Sequence, residues 1–179
     1  MDRRQKKTRN AIFHSFIELL SERSFQAITV EQIIAGADVG RATFYAHFET
    51  KDALLQALSQ ELFDHVAQAG SEAGHLFSCQ APDSPFLHLV QHLQKNDNQI
   101  LRLLSGQNEP LFAQSFREGL KRLVQSQLPL FAHRKDPRLP EAFWVEHIAS
   151  VFVDTVRWWT DTGRKESPET VTEYFMLSV

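Results

Sequence analysis

Apolar residues recur at helical spacing through almost the whole chain, and alternation with a period of two is nowhere sustained. Ile12, Phe13, Phe16, Ile17 and Leu20 form a first stripe, and Leu54, Leu55, Leu58, Leu62 and Val66 a second. Phe86, Leu89, Val90 and Leu93 continue the series, followed after a break by Ile100, Leu103 and Leu104. Phe112, Phe116, Leu120, Leu123 and Val124 come next, then Trp144, Ile148, Val151, Phe152, Val156 and Trp159, and last Val171, Tyr174 and Phe175. The pattern predicts an all-α chain of about nine helices. Breakers mark the boundaries: 70–85 reads as a loop, 133–140 and 161–168 as linkers. Pro110, two residues after Asn108, opens one helix, and Ser167-Pro168-Glu169 opens the last. Long helices are therefore expected over roughly 141–161 and 168–178.

The densest information lies in ITVEQIIAGADVGRATFYAHFETKDALLQAL, residues 28–58. Thr29 followed by Gln32 matches a capping box, each side chain satisfying an orphan backbone N–H. The helix it opens, roughly 30–36, is too short to persist alone. Asp38 falls where the chain must turn, and Asp tolerates the left-handed conformation better than most residues. A second short helix, roughly 41–47, follows. Two short helices joined this way form the unit that lays its second helix in a DNA major groove.

This stretch resembles the DNA-binding domain of the TetR family of bacterial transcriptional regulators. The matching residues are Thr8, Ile12, Phe16, Leu20, Phe25, Thr29, Val30, Ile33, Ala37, Val39, Thr43, Phe44, Tyr45, His47, Phe48, Lys51 and Leu54. Three positions depart from the family pattern: Asp38 stands where Gly is usual, Gly40 where Ser is usual, and Ile34 where a small residue is usual. The resemblance implies an N-terminal three-helix helix-turn-helix DNA-binding domain over 1–50. It also implies a C-terminal helical effector-binding and dimerisation domain over 51–179. Gly40, Arg41, Ala42 and Thr43 open the recognition helix, where Arg can read guanine and the small side chains can meet a thymine methyl. By the resemblance, Thr29, Tyr45, His47 and Lys51 hold phosphates and fix register.

A single helix-turn-helix touches too little DNA for useful specificity, so a homodimer on a palindromic operator in double-stranded DNA is expected. The resemblance implies that the last two long helices form its four-helix bundle. Phe143, Val145, Phe152, Trp158 and Trp159 cannot all face one way, and Phe152, Val156, Trp158, Trp159 and Phe175 are the interface candidates. In the usual family mechanism an unknown small-molecule effector tilts the helix that begins near Lys51 and lifts a repressor from its operator. Phe77, Phe86, Phe112, Phe116 and Phe131 are candidate pocket liners. The segment FVDTVRWWTDTGRKESPETVTEYF, residues 152–175, also resembles a subgroup that includes activators of dihydroxyacetone-kinase genes. That keeps open a second reading, an activator or co-regulator governed by a protein partner.

Composition narrows the class. The chain has 179 residues, 42% hydrophobic, which is enough for a globular core and too apolar for disorder. No run of apolar residues reaches membrane-spanning length. One cysteine, Cys79, and no signal-peptide core point to a cytoplasmic home. Residues 1–10 carry Arg3, Arg4, Lys6, Lys7 and Arg9 against Asp2 alone, whereas the body is acidic and the whole chain stands at −3. A basic end on an acidic body fits a polyanionic partner. No nucleophile elbow, zincin motif or phosphate loop is present, so neither an enzyme nor a cofactor is expected. His88 and His92 are spaced i,i+4, with His75 and Cys79 nearby, but no carboxylate joins them at matched spacing, and no metal site is assigned.

Overall fold

The computed structural model describes residues 3–67, 84–95 and 110–179. Among them are α1 (Arg3–Glu22), a one-turn 3-10 helix (Phe25–Ala27), α2 (Val30–Ala37), α3 (Arg41–His47) and α4 (Lys51–Ala67). Then come α5 (Pro85–Lys95), α6 (Pro110–Ser126), the short α7 (Leu128–Phe131) with a 3-10 turn (Ala132–Arg134), α8 (Glu141–Asp161) and α9 (Pro168–Ser178). The described residues contain no strand, so the protein is all-α as the periodicity predicts. Most of the expected 70–85 loop, the Ile100–Leu104 stripe, Phe77, His75 and Cys79 lie outside the described residues.

Local chemistry sets the first domain. The Thr29 backbone N–H donates to Gln32 Oε1 at 2.9 Å, and Gln32 N–H donates to Thr29 Oγ1 at 3.3 Å, closing the capping box. Asp38 ends α2 in the left-handed conformation, φ 51° and ψ 49°. Ile12, Phe13, Phe16 and Leu20 of α1 are buried together with Ile33, Ala37, Phe44 and Phe48. Phe13 meets Phe48 edge-on at 5.4 Å between centroids. Ser15 Oγ, buried, donates to the Ile33 carbonyl at 2.9 Å. That contact exists because Gly36 leaves room for it: a Cβ there would stand 2.4 Å from Ser15 Oγ.

The C-terminal helices wrap α4. It packs on α5 and α6, α6 packs on α8, and α9 closes against α5 and α8. No described helix is long and apolar enough to cross a membrane. The turn after α8 is tightly specified: Gly163 has φ 81°, and Arg164 N–H donates to the Trp159 carbonyl at 2.8 Å. Buried Trp159 then donates from Nε1 to the Glu166 carbonyl at 2.9 Å, fixing the linker. Ser167 caps α9, its Oγ accepting from Thr170 N–H, with Pro168 in the first turn. The Arg134 guanidinium donates to the Met176 and Val179 carbonyls, meeting the negative end of α9.

The α4–α6 crossing has one tight point. A Cβ added at Gly119 would lie 2.2 Å from the Phe63 ring, and that ring already packs on Phe116 at 5.0 Å. Ala is favoured over Gly in a helix by about 1 kcal/mol, so the expected sign opposes intrinsic propensity. Gly119→Ala should destabilise by about 1–3 kcal/mol in urea unfolding, through overpacking. Phe63→Leu in the Gly119→Ala background should recover part of that loss, and a stabilised Gly119→Ala would show that the crossing yields.

Candidate DNA interface

Helix α3 is anchored from below and open above. Phe44 and Phe48 are buried, while Gly40, Arg41, Ala42, Thr43 and Tyr45 face solvent and His47 is half-buried. Phe44 N–H donates to the Gly40 carbonyl at 3.1 Å, so Gly40 begins the helix without a side-chain cap. The Tyr45 ring stands edge-on to Phe44 at 5.4 Å, which holds its hydroxyl on the exposed face. The residues expected at base edges, and Tyr45 and His47 of those expected at phosphates, thus come from α3 and the turn before it. Thr29 is exposed, its oxygen already engaged in the capping box.

Two placements were not legible in the sequence. Arg41 is paired with Glu31 of α2, and both side chains are about 60% exposed, at 60% and 61%. The Glu31 carboxyl is held below the usual carboxylate range, first by a backbone N–H at the start of α2, then by the Thr29 hydroxyl and Arg41. Lys51 departs further from expectation. It is the first residue of α4, and its Nζ donates to the Phe25 and Ile28 carbonyls, each at 2.7 Å. The ammonium also lies 4.2 Å from the Phe25 ring centroid. Its donors face inward, onto carbonyls at the end of the 3-10 turn.

Helix α1 adds a basic face. Arg3, Lys6, Lys7, Asn10, Ala11 and His14 line one shallow groove along it. Arg9 turns the other way, over the Phe13 and Phe48 rings at 4.9 and 5.1 Å, and its Nη2 reaches Glu61 Oε1 of α4 at 3.0 Å. This ion pair links the helix-turn-helix unit to the C-terminal helices.

A three-helix unit with this exposed second short helix, followed by a helical body, finds matches on both halves. Residues 12–58 fit the family model of bacterial regulatory proteins of the tetR family, and residues 80–178 fit that of a transcriptional regulator C-terminal region. A TetR transcriptional regulator from Streptococcus agalactiae is 32% identical with a TM-score of 0.72, the match covering 99% of this chain and 96% of that one. The chain belongs to the TetR family.

Two further matches are at lower identity. The HTH-type transcriptional regulator YxbF of Bacillus subtilis is 24% identical over 98% of this chain, which spans 45% of that protein. The structure of NalD from Pseudomonas aeruginosa, described as the secondary repressor of the MexAB-OprM multidrug efflux pump, has a TM-score of 0.55 at 16% identity. That match covers 97% of this chain and 95% of NalD, and shows the fold alone.

The remaining TetR-type site residues distribute unevenly. Of the expected interface set, Phe152, Val156, Trp159 and Phe175 are buried within the chain itself, and only Trp158 is exposed. The reason is register: on α8, Trp158 and Trp159 are adjacent, so about 100° separates them, and the inner one takes a core position. Phe86 and Phe131 pack at 5.7 Å and share a cluster with Phe152 and Phe175. Phe112 and Phe116, 6.1 Å apart, belong to a second cluster with Phe63. The pocket candidates are therefore split between two packed aromatic groups. Phe143, one of the surplus apolar residues of α8, is 55% exposed, and Leu177 of α9, which the sequence analysis did not single out, is 71% exposed.

Two measurements test the interface chemistry. Lys51→Met should lower stability by about 1–3 kcal/mol, because it strips charged donors from two carbonyls. It should leave the dependence of DNA affinity on salt unchanged; a slope reduced by about 0.9 would return Lys51 to the phosphates. Glu31→Gln should tighten DNA binding about two- to fivefold by releasing Arg41. Acidification that protonates Glu31 should act in the same direction, since its lowered pKa means the pair is lost as pH falls. Weaker binding by Glu31→Gln in a gel-shift titration would mean that Glu31 positions Arg41 for DNA.

Proposed function

We propose that this chain is a sequence-specific DNA-binding transcriptional regulator, acting as a homodimeric repressor that a small-molecule effector releases. The observation that carries the reading is the α3 face: Gly40, Arg41, Ala42, Thr43 and Tyr45 exposed over a buried Phe44–Phe48 anchor. Arg41 and Thr43 read base edges, and Tyr45 and His47 hold phosphates at fixed register. Arg3, Lys6 and Lys7 add sequence-blind attraction along the backbone. Lys51 serves indirectly, by holding the start of α4 against the end of the 3-10 turn.

A second copy covers the outer face of α8 and α9. Phe143, Trp158, Tyr174 and Leu177 are all large, apolar and more than 40% exposed, and Trp158 stacks edge-on with Tyr174 at 5.9 Å. Exposed aromatics in such a patch are what interface cores use. Two copies would present two α3 helices to half-sites about one DNA turn, roughly 34 Å, apart. Effector binding then biases α4, and with it the separation of the recognition helices.

Selection of binding sites from a random duplex library tests the assignment. A palindromic consensus is expected, and salt-sensitive but sequence-blind binding would overturn it. Trp158→Glu should shift the chain towards monomer in sedimentation. It should lower affinity for the full palindrome at least tenfold while leaving half-site contact intact. An unchanged dimer would place the interface elsewhere.

A further inference from the structure

The core between α4 and α5 holds a group that the DNA-binding reading does not use. His88 and His92 are only 1% and 3% exposed, and His65 of α4 stands half-buried against them. Each pair among the three rings has its centroids 4.8 Å apart. One ligand-capable nitrogen from each ring lies within 4.8 Å of the others, and His88 Nε2 and His92 Nε2 are 3.1 Å apart. His65 is the partner that sequence spacing could not supply, since it comes from a different helix.

We propose that His65, His88 and His92 bind a divalent transition-metal ion of the zinc class, and that this ion is the chain's effector. The second clause rests on the DNA-binding reading above.

The geometry suits such an ion. Zinc–nitrogen bonds of about 2.0–2.1 Å at tetrahedral angles put neighbouring ligand nitrogens about 3.3–3.4 Å apart. The His88–His92 pair is already close to that spacing, on an i,i+4 helical frame that presents both rings to one point. The third ring, half-buried His65, brings a ligand-capable nitrogen within 4.8 Å of the other two. An all-imidazole set selects zinc, cobalt, nickel or copper over magnesium and calcium, which take oxygen ligands. Three protein ligands leave a fourth position for water, on the side where His65 meets solvent. Three polar rings are also a costly choice for a core position that Leu or Phe would fill, unless they have chemistry to perform.

Coupling to DNA follows from helix register. Glu61 and His65 are i,i+4 on α4, and Glu61 holds Arg9 of α1. An ion on His65, His88 and His92 would pin α4 to α5 one turn from the pair that links α4 to the DNA-binding unit. It would therefore select one orientation of α4.

Cobalt(II) titration of the metal-free full chain is the test, because cobalt reports its own coordination. One equivalent per chain with an intense visible band is expected in the native sequence. His65→Ala, His88→Gln and His92→Gln should each weaken binding at least hundredfold, while exposed His14→Ala and His133→Ala should bind as the native chain does. His65→Ala, at the half-buried position, keeps the test informative if a core variant fails to fold. Absence of the band, or a band indifferent to all three, overturns the site and leaves only a stacked, hydrogen-bonded histidine cluster. The selected operator is then titrated with metal-free and zinc-loaded chain. At least a tenfold difference, abolished by His65→Ala, is expected. Equal affinities overturn the effector role, whereas a metal-free chain with no sequence preference would instead overturn the DNA-binding reading.

Discussion

The position of α4 is the constraint on which the rest of the molecule depends, and the Lys51 ammonium sets its start. A cation at the first residue of a helix opposes the helix dipole, so the placement must be stabilised by something stronger. Two carbonyls at 2.7 Å and the face of Phe25 provide it. These groups close the end of the 3-10 turn, immediately before Thr29 begins α2. The same lysine therefore fixes both the entry to the helix-turn-helix and the exit into the C-terminal body. Arg9–Glu61, three turns further along α4, holds the second point of that joint.

Above this joint both halves are anchored by buried phenylalanines but differ in scale. The DNA-binding unit is small, and its contact surface is narrow: a short α3 whose inner side is aromatic and whose outer side is polar. Its rigidity comes from close backbone approach, as where Ser15 reaches across the space left by Gly36. The C-terminal body sets an aromatic cluster, Phe86, Phe131, Phe152 and Phe175, among buried aliphatic side chains. Large rings held edge to face resist sliding but can exchange partners.

Features set by near neighbours along the chain were legible in advance. The Thr29–Gln32 box and Asp38 delimit α2, and Ser167-Pro168 delimits α9, because capping chemistry acts over three or four residues. Phe44 and Phe48, four residues apart and so on one helical face, turn inside together. What was not legible depends on which distant groups meet. Lys51 turns inward because carbonyls 23 and 26 residues away converge on it. Glu31 and Arg41 pair across the turn between two helices, and His65 joins His88 and His92 across the α4–α5 contact. Trp158 and Trp159 are alike in type and adjacent. Register turns one inward, where its indole meets the Glu166 carbonyl, and leaves the other outside.

Asp38 has a quieter consequence. Its left-handed backbone is one that glycine adopts freely and that a residue with a Cβ holds at a cost. Glycine would relax the folded turn while widening the freedom of the unfolded chain, and a β-branched residue would strain the turn. This exposed corner is therefore a thermodynamic dial. Substitutions there can retune how readily the DNA-reading unit opens while leaving every α3 side chain as it was.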